Sequence, residues 1–313
     1  MKRGLIFIAA GGTGGHINSA LAMGEFYIQK DYEIIYLTGK RELDYRLFAG
    51  HNKIHLDSRP LKVKNPFKLM VNISKNIASL LFLLKFTLQK KPQFTLGAGG
   101  YVCGPVSLAC FITGRSVYIL EQNSVMGLTN KLLSFLAKKI FISFHQTYGI
   151  PLFTRHKVIF SGNPIRNDFY EFDFSKPNGR SFSILVFGGS LGARDINALV
   201  LGMLKDKWVD QLEIIHQTGT KNILEVDSSQ ISANINYKQF QYIDDMKEAY
   251  RNCDLIICRG GASTIAELAV VKKPCIIIPL LIHNDRHQVH NATDLKKYSS
   301  FPVYITQTEE LRA

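Results

Sequence analysis

The chain has 313 residues, a formal net charge of +13 and 46% hydrophobic residues. This length suits two domains, and the apolar fraction excludes a largely disordered protein. The positive charge predicts an anionic partner. Because the sequence carries no nucleic-acid motif, phosphorylated substrates and anionic lipid are favoured over nucleic acid. The 5 cysteines form no C-x-x-C pair and adjoin apolar segments, which indicates reduced, buried thiols in the cytosol.

Short apolar runs alternate with longer segments of helical spacing, the pattern of a parallel α/β protein. The first half has a predicted helix at 18–30 and predicted strands at 4–10, 33–38, 93–97, 116–120 and 139–143. In the second half, strands are predicted at 181–187, 212–217, 254–258 and 274–279. The polar segment 161–180 is the expected hinge. We therefore expect two doubly wound, Rossmann-like domains, 1–163 and 164–313, that face each other across a cleft.

Glycine-rich loops directly follow strands in both halves. Because glycine lets a backbone come close to a ligand and a helix start presents free N–H groups, such loops are typical of phosphate and sugar sites. The first loop, 11–15, holds four glycines, more than a tight turn needs, and His16 follows it. Its spacing fits neither the dinucleotide fingerprint nor a P-loop. The second loop, 97–104, contains Tyr101, which either contacts a ligand or packs.

Two further loops belong to the second half. In 188–194, Ser190 and the neighbouring N–H groups are candidates to hold a phosphate, and Arg166 of the hinge could reach the same cleft. A pair of glycines at 260–261 follows a strand and opens a helix, in which Glu267 lies about two turns beyond the glycines. A carboxylate there could accept hydrogen bonds from ribose hydroxyls. The second half is therefore predicted to hold a nucleoside diphosphate.

Three polar residues end the predicted strand 116–120. Glu121 is a candidate for acid–base chemistry, and Asn123 is a candidate to bind sugar hydroxyls. The alternative is a structural role, because Asn123 and Ser124 are both residue types that cap a following helix well.

Three histidines of the segment HNDRHQVH raise the question of a metal site: His283, His287 and His290. Their spacing is not a standard metalloprotease pattern and no cysteine pair joins them, so no metal is predicted. The amides of Gln288 and Asn291 on the same segment suit sugar hydroxyls better.

The stretch 66–91 is predicted to form a long amphipathic helix. One apolar face is assigned to the core, and its members are Leu69, Ile73, Ile77, Leu80, Leu84 and Leu88. On the other side, Phe82 and Phe86 fall among lysines that include Lys75 and Lys90. Exposed aromatics among cations suit an anionic membrane surface; a buried helix with snorkelling lysines is the alternative. Since no uncharged apolar run approaches the roughly 20 residues that span a bilayer, we expect a peripheral protein.

Taken together, the motifs resemble those of the MurG family of bacterial cell-wall glycosyltransferases. They are, in chain order, GGTGGH, GAGGYVCGP, EQN with GLTNK, GNPIR, GGSLGAR, RGGASTIAE and HNDRHQVHNA. The resemblance covers nearly the whole chain and implies the GT-B arrangement of two Rossmann-like domains. It also implies inverting transfer of N-acetylglucosamine (GlcNAc) from UDP-GlcNAc to the 4-hydroxyl of N-acetylmuramic acid (MurNAc) in undecaprenyl-pyrophosphoryl-MurNAc-pentapeptide. This reaction converts lipid I to lipid II in peptidoglycan synthesis.

By motif match, the resemblance also implies the residues of the site. Donor contacts fall on Thr13, Gly14, Gly15, Asn123, Arg166, Ser190, Ile243, Ala262, Ser263, Thr264, Ile265, Ala266, Glu267 and Gln288. Acceptor contacts fall on Gly99, Gly100 and Tyr101. His16 is the first choice for the general base or for positioning the acceptor hydroxyl, since imidazole titrates in the useful range, and Glu121 is the second. Neither a cofactor nor a metal is expected.

The implied location is peripheral, on the cytoplasmic face of the bacterial plasma membrane. Expected partners are UDP-GlcNAc, the undecaprenyl-linked acceptor, an anionic membrane surface and other cell-wall synthesis proteins. The chain departs from the family pattern at His287, where members commonly carry glutamine. It also ends at 313, where members continue with helices, so the second domain is expected to be truncated.

Two other functions are consistent with these motifs. One is a related GT-B glycosyltransferase with another lipid acceptor, and the other is a non-catalytic protein that binds a nucleotide sugar. A nicotinamide-dependent oxidoreductase is disfavoured, because neither half has the required glycine spacing.

Overall fold

The computed structural model describes residues 2–177, 181–206, 208, 210–220, 224–281 and 286–307. The chain forms two compact units, Met1–Asn167 and Asp168–Ala313. Each unit is built on one parallel sheet with helices between successive strands. The predicted fold class, two doubly wound Rossmann-like domains, is confirmed.

The first unit contains a seven-stranded sheet with the order β3-β2-β1-β4-β5-β6-β7. Its elements are β1 (Gly4–Ala9), α1 (Gly14–Ile28), β2 (Tyr32–Thr38), α2 (Glu42–Leu47), β3 (Lys53–His55), α3 (Pro66–Lys90), β4 (Phe94–Gly97), α4 (Cys103–Ile112), β5 (Ser116–Glu121), α5 (Leu128–Leu133), β6 (Lys139–Ile142), a 3₁₀ helix (Leu152–Lys157) and β7 (Val158–Phe160).

The second unit contains a six-stranded sheet with the order β10-β9-β8-β11-β12-β13. After a 3₁₀ turn at Asn167–Phe169, its elements are β8 (Phe182–Phe187), α6 (Arg194–Met203), β9 (Leu212–Gln217), a 3₁₀ turn (Ser228–Gln230), β10 (Ile235–Phe240), α7 (Met246–Asn252), β11 (Leu255–Cys258), α8 (Ala262–Val271), β12 (Cys275–Ile277), α9 (His287–Tyr298) and β13 (Val303–Ile305).

The central strands are apolar along their length because helices cover both faces of each sheet. In β1, side chains alternate between two cores: Phe7 and Ala9 pack on the side of α3 and α4, whereas Ile6 and Ile8 pack on the side of α1. This two-residue alternation explains why the strand reads as an unbroken apolar run in the sequence.

The strand order reverses once in each unit, at the first strand of its sheet. β1 lies between β2 and β4, and β8 lies between β9 and β11. At such a switch point the loops that leave neighbouring strands diverge to opposite faces, and the crevice between them is where ligands bind in doubly wound sheets. The glycine loops 11–15 and 97–100 border this crevice in the first unit, and the loops 188–193 and 259–261 border it in the second.

Helix α3 buries a different face from the one predicted. Its fully buried side chains are Asn72, Ser79, Leu83 and Thr87, whereas Ile73, Ile77 and Leu88 are 42%, 51% and 58% exposed. Small side chains on the inner face let α3 lie against α4, and Asn72 Nδ2 donates to the Pro60 carbonyl at 2.8 Å. The predicted core face is therefore wrong at Ile73, Ile77 and Leu88, whereas Leu80 and Leu84 of the same prediction do pack against the core.

The two phenylalanines that were predicted to be exposed on α3 differ in burial. Phe82 is exposed as predicted, but Phe86 is half-buried, with its ring stacked on that of Phe7 at a centroid distance of 5.4 Å. By length and composition, α3 is apolar enough to cross a membrane. The same test is passed by core helices, and here Leu83 and Phe86 pack onto the sheet of the first unit. α3 is thus the crossover helix between β3 and β4, with an open apolar outer face.

Candidate functional site

The first glycine loop orients the ring of His16 at the start of α1. Thr13 caps this helix, and its Oγ1 accepts a hydrogen bond from the His16 backbone N–H at 3.4 Å. The ring atom Nδ1 lies 3.2 Å from the Gly11 carbonyl oxygen. Because a carbonyl can only accept, Nδ1 carries the proton and Nε2 keeps its lone pair. Burial lowers the pKa of His16 and outweighs the opposing hydrogen bond to Gly11, so the ring is neutral at pH 7.

The second glycine loop packs directly on this imidazole. Gly99 and Gly100 have φ values of +102° and +87°, a region that favours glycine. A Cβ at Gly99 would lie 2.7 Å from His16 Cδ2, and a Cβ at Gly100 would lie 2.0 Å from the Gly11 carbonyl oxygen. The structure thus brings together His16 and two of the predicted acceptor residues, and the contact requires both glycines.

Glu121 is a buried carboxylate whose hydrogen bonds are made within its own loop. Oε1 accepts from the Asn123 backbone N–H at 3.0 Å, and Oε2 accepts from Gly127 N–H at 3.0 Å and Asn130 Nδ2 at 2.9 Å. Burial raises the pKa of Glu121, and these hydrogen bonds oppose the shift. The arrangement suits a residue that shapes the loop carrying Asn123 better than one that exchanges protons with a substrate.

In the second unit, the loop of Ser190 makes close backbone contacts. A Cβ at Gly192 would lie 1.9 Å from the Thr218 carbonyl oxygen, and Gly192 has a φ of +81°. The buried side chain of Gln217 donates to the Gly189 carbonyl at 3.2 Å and accepts from the Ile243 backbone N–H at 2.9 Å. One amide therefore joins the loop of Ser190 to the segment of Ile243.

The start of α8 is the second phosphate candidate in this unit. Ala262, Ser263 and Thr264 form its first turn, which contains no acidic residue. The Oγ of Ser263 is buried and has no hydrogen-bond partner among the residues that the structure describes. A helix start with a buried, unsatisfied hydroxyl is suited to an anionic oxygen. Ile265 is buried beneath this turn, and Ala266 is half-buried.

Glu267 and Gln288 are held near this helix start by other residues. The buried hydroxyl of Tyr250 donates to Glu267 Oε2 at 2.8 Å. Gln288 Oε1 accepts from the Leu280 backbone N–H at 2.9 Å. The backbone of Gln288 lies so close to Gly260 that a Cβ at Gly260 would meet its carbonyl oxygen at 2.5 Å.

The remaining predicted residues are placed as follows. Gly14 and Gly15 begin α1, and Arg166 is exposed at the end of the first unit. Lys90 is exposed, while Lys75 Nζ pairs with the Asp57 carboxylate at 2.8 Å. Among the described residues, no group of three or more His, Cys, Asp or Glu side chains could hold a metal ion. His283 lies outside the described residues.

Comparison with known proteins decides the family. Models of the glycosyltransferase family 28 N-terminal and C-terminal domains match residues 6–142 and 183–311. A crystal structure of MurG from Acinetobacter baumannii is 30% identical, with a TM-score of 0.73 over 98% of this chain and 86% of that one. This chain belongs to the MurG family.

Curated relatives of this MurG-family chain carry the name UDP-N-acetylglucosamine--N-acetylmuramyl-(pentapeptide) pyrophosphoryl-undecaprenol N-acetylglucosamine transferase. The Myxococcus xanthus protein is 34% identical over an alignment of 301 residues that covers 93% of this chain and 77% of the relative. The Coxiella burnetii protein is 33% identical over an alignment of 317 residues, gaps included, that covers 98% of this chain and 87% of the relative. A glycosyltransferase of kitacinnamycin, with a TM-score of 0.71 at 12% identity, shares the fold.

Sequence reasoning missed the side chains that connect the MurG-family motifs. Gln122 Nε2 donates to the Ala98 carbonyl at 3.0 Å and so links the EQN segment to the second glycine loop. Arg259 bridges the Asp195 carboxylate and the Ile278 carbonyl. Each partner lies far along the chain, so no local spacing could have signalled these contacts.

Proposed function

We propose that the chain is an inverting glycosyltransferase that moves GlcNAc from UDP-GlcNAc to the 4-hydroxyl of MurNAc in undecaprenyl-pyrophosphoryl-MurNAc-pentapeptide. The names of relatives that are 33–34% identical over most of this chain support this reaction. The observation that carries the chemistry is the neutral imidazole of His16. Its Nδ1 is held by the Gly11 carbonyl and its ring is enclosed by Gly99.

In the proposed reaction, His16 Nε2 accepts the proton of the acceptor 4-hydroxyl. The hydroxyl oxygen then forms a bond to the anomeric carbon of GlcNAc, while the bond from that carbon to the diphosphate oxygen breaks. Attack on the face opposite the leaving group inverts the anomeric centre. UDP departs with the electron pair, and the proton stays on His16 until solvent removes it.

The departing diphosphate gains negative charge that the protein must stabilise. We assign this role to the N–H groups at the start of α8, to Ser263 Oγ and to the loop of Ser190. In the proposed mechanism these uncharged donors stabilise the diphosphate, and no metal ion is used. In the same proposal Glu267 accepts hydrogen bonds from the ribose, with its carboxylate oriented by Tyr250.

The remaining donor contacts follow the family motifs. Ile243 packs beside the uracil, and Gln288 and Asn123 bind sugar hydroxyls. Arg166 is a further residue that the motif match assigns to the donor. The half-buried positions of Ile243 and Asn123 leave part of each side chain open to a ligand.

We also propose that the first unit docks on an anionic membrane surface through the outer face of α3. Exposed apolar side chains recur there at intervals of three, four or seven residues, at Phe67, Met70, Ile77, Leu81 and Leu88, with Phe82 beside them. Exposed lysines flank this stripe at positions 62, 64, 68 and 85. An apolar stripe bordered by cations is suited to lipid headgroups. In the proposed function, the outer face of α3 binds to the cytoplasmic face of the plasma membrane.

The reaction is tested by transfer of labelled GlcNAc from UDP-GlcNAc to a short-chain lipid I analogue. Wild type is expected to turn over, and His16→Ala is expected to lower kcat by roughly 10²- to 10⁴-fold, the usual contribution of a general base. Donor affinity, measured by calorimetry, should be unchanged. No UDP-GlcNAc binding by wild type would overturn the proposal; binding without transfer would point to another acceptor or a non-catalytic protein.

The pH profile provides a second test. A base must be unprotonated to act, and the pKa of His16 is lowered by burial. Activity should therefore persist below pH 6.5 and fall only as the pH drops through this lowered pKa. If the rate already falls with decreasing pH at or above pH 6.5, His16 is not the base. Addition of EDTA should leave the rate unchanged.

A further inference from the structure

Arg41 places a positive charge at the edge of the first glycine loop. Its Nη1 donates to the Gly12 carbonyl at 3.0 Å, and its guanidinium carbon lies 5.0 Å from the centroid of the Tyr101 ring. Within the part of the chain that the structure describes, no carboxylate forms an ion pair with this guanidinium. The Arg41 side chain also hydrogen-bonds that of Tyr101. Because a guanidinium has five N–H donors, others remain available for a ligand.

Asp44, a carboxylate three residues after Arg41, is engaged by other groups. It is buried, and its two oxygens accept hydrogen bonds from Thr38 Oγ1 at 3.2 Å and from the backbone N–H of Arg41 at 3.0 Å. Asp44 therefore fixes the main chain of Arg41, and among the described residues it forms no ion pair with the guanidinium.

Arg41 is directly connected to the loop that orients His16. Arg41 binds the carbonyl of Gly12, and His16 Nδ1 binds the carbonyl of Gly11. The general base and the guanidinium are thus anchored to consecutive residues of one loop.

The same region is joined to α3. Arg59 donates its backbone N–H to Asn76 Oδ1 at 2.9 Å, and Asn76 Nδ2 donates to the Arg59 carbonyl at 2.9 Å. The positive charges of Arg41 and Arg59 both oppose the rise in the pKa of Tyr101 that burial causes, so both cations lie near that hydroxyl. Arg59 itself is paired with Asp57 at 2.8 Å. Arg41, by contrast, forms no ion pair within the described residues, and through Tyr101 it lies close to the segment that is joined to α3.

We propose that Arg41 binds the diphosphate of the lipid-linked acceptor. This inference rests on the proposed function. In that acceptor, the diphosphate is attached to the sugar that carries the reacting hydroxyl, and it joins the sugar to a chain that ends in the bilayer. A diphosphate is thus required between His16 and α3, where Arg41 lies. Guanidinium–phosphate contacts are charge-assisted and often bidentate, which fits an arginine at this position.

The test compares Arg41→Gln with Lys40→Gln, which removes the same charge one residue earlier on an exposed side chain. Arg41→Gln is expected to raise KM for the lipid I analogue by about 10- to 100-fold, the usual range for a charged hydrogen bond. KM for UDP-GlcNAc should change less than about twofold, and Arg41→Lys should be intermediate. Lys40→Gln should be close to wild type. Equal losses in both glutamine variants would overturn the proposal, because they would indicate only diffuse electrostatics.

A binding measurement separates this proposal from the reaction itself. Farnesyl diphosphate and farnesol are titrated into detergent-solubilised wild type and variants by calorimetry. Wild type should prefer the diphosphate, and Arg41→Gln should lose that preference while keeping its thermal midpoint. This result supports the anion site even if no transfer occurs, in which case only the proposed reaction fails. Loss of donor affinity or of thermal stability without loss of the preference would show that Arg41 merely supports the glycine loop.

Discussion

The glycine loops of the first unit are shaped by an imidazole, whereas those of the second unit are tied together by buried polar side chains. In the first unit, Gly99 packs on His16, and the ring is held by Gly11. In the second, Gln217 bridges two loops and Tyr250 orients Glu267. A change in the packing of Gly99 on His16 should therefore alter the chemical step, and a change at Gln217 should alter donor binding.

The largest effect is expected when the packing on His16 is disturbed. In Gly99→Ala the new Cβ would lie 2.7 Å from His16 Cδ2, at a φ of +102°. Displacement of the ring should lower kcat at least about 100-fold, because a shift of about 1 Å can cost that much. UDP-GlcNAc affinity should stay within about twofold.

The matched control is Gly104→Ala, in the same segment but with no atom within 4 Å of the new Cβ. Steady-state transfer assays and donor calorimetry measure both quantities. Similar kcat values for the two alanine variants would contradict the proposed role of the packing of Gly99 on His16.

Donor binding in the second unit is tested at Gln217. In Gln217→Leu, the Gly189 carbonyl and the Ile243 N–H lose their partner. Leaving buried groups unsatisfied costs about 1–3 kcal/mol, so UDP-GlcNAc affinity should fall about 5- to 100-fold while kcat at saturating donor changes little.

The exposed Gln230 provides the control, as Gln230→Leu should bind UDP-GlcNAc like wild type. Gln217→Glu should be intermediate, because a carboxylate still accepts from Ile243 but cannot donate to Gly189. A large fall in kcat with unchanged affinity would contradict the assignment of this unit to the donor.

A smaller effect is expected on the proposed membrane face, which is the outer face of α3 in the first unit. Leu81→Ser with Phe82→Ser removes two exposed apolar side chains from α3. Binding to anionic vesicles should weaken about 10-fold, since each contributes part of the roughly 1.5–3 kcal/mol of a fully buried apolar side chain. Vesicle sedimentation measures the change.

Phe26→Ser with Ile28→Ser is the comparison, since these residues are 45% and 50% exposed on α1 of the same unit. It should not affect vesicle binding. Equal weakening by both pairs would show that general hydrophobicity, not α3, accounts for the binding.

The sequence predicted the central strands closely, because parallel strands covered on both faces are unbroken apolar runs. The predicted strand 4–10 is observed at Gly4–Ala9. The strands that were missed are short or lie at sheet edges. Ile235–Phe240, for example, has the sequence INYKQF and alternates between more and less exposed positions. Such a segment lacks the continuous apolar signal of a central strand.

The candidate site was predictable only where one motif contains it. The loop that orients His16 lies within six residues of sequence, from Gly11 to His16. Arg41 and Gln217, by contrast, follow no local pattern, and their contacts with Gly12 and Gly189 lie 29 and 28 positions away. The buried face of α3 was predicted correctly only at Leu80 and Leu84, because total hydrophobicity was taken as the sign of burial.

The position of α3 between β3 and β4 also constrains how the first unit can be oriented on a membrane. The chain leaves β3 at its carboxyl end, on the side of the sheet where the glycine loops lie, and α3 leads it to the amino end of β4 on the opposite side. Its 25 residues extend about 37 Å at 1.5 Å per residue. A contact line of this length resists tilting, so a bilayer that accepts the whole stripe fixes the angle of the first unit. The loop edge then stays at one height above the lipid, and the search for a lipid-linked substrate is reduced to lateral diffusion in two dimensions.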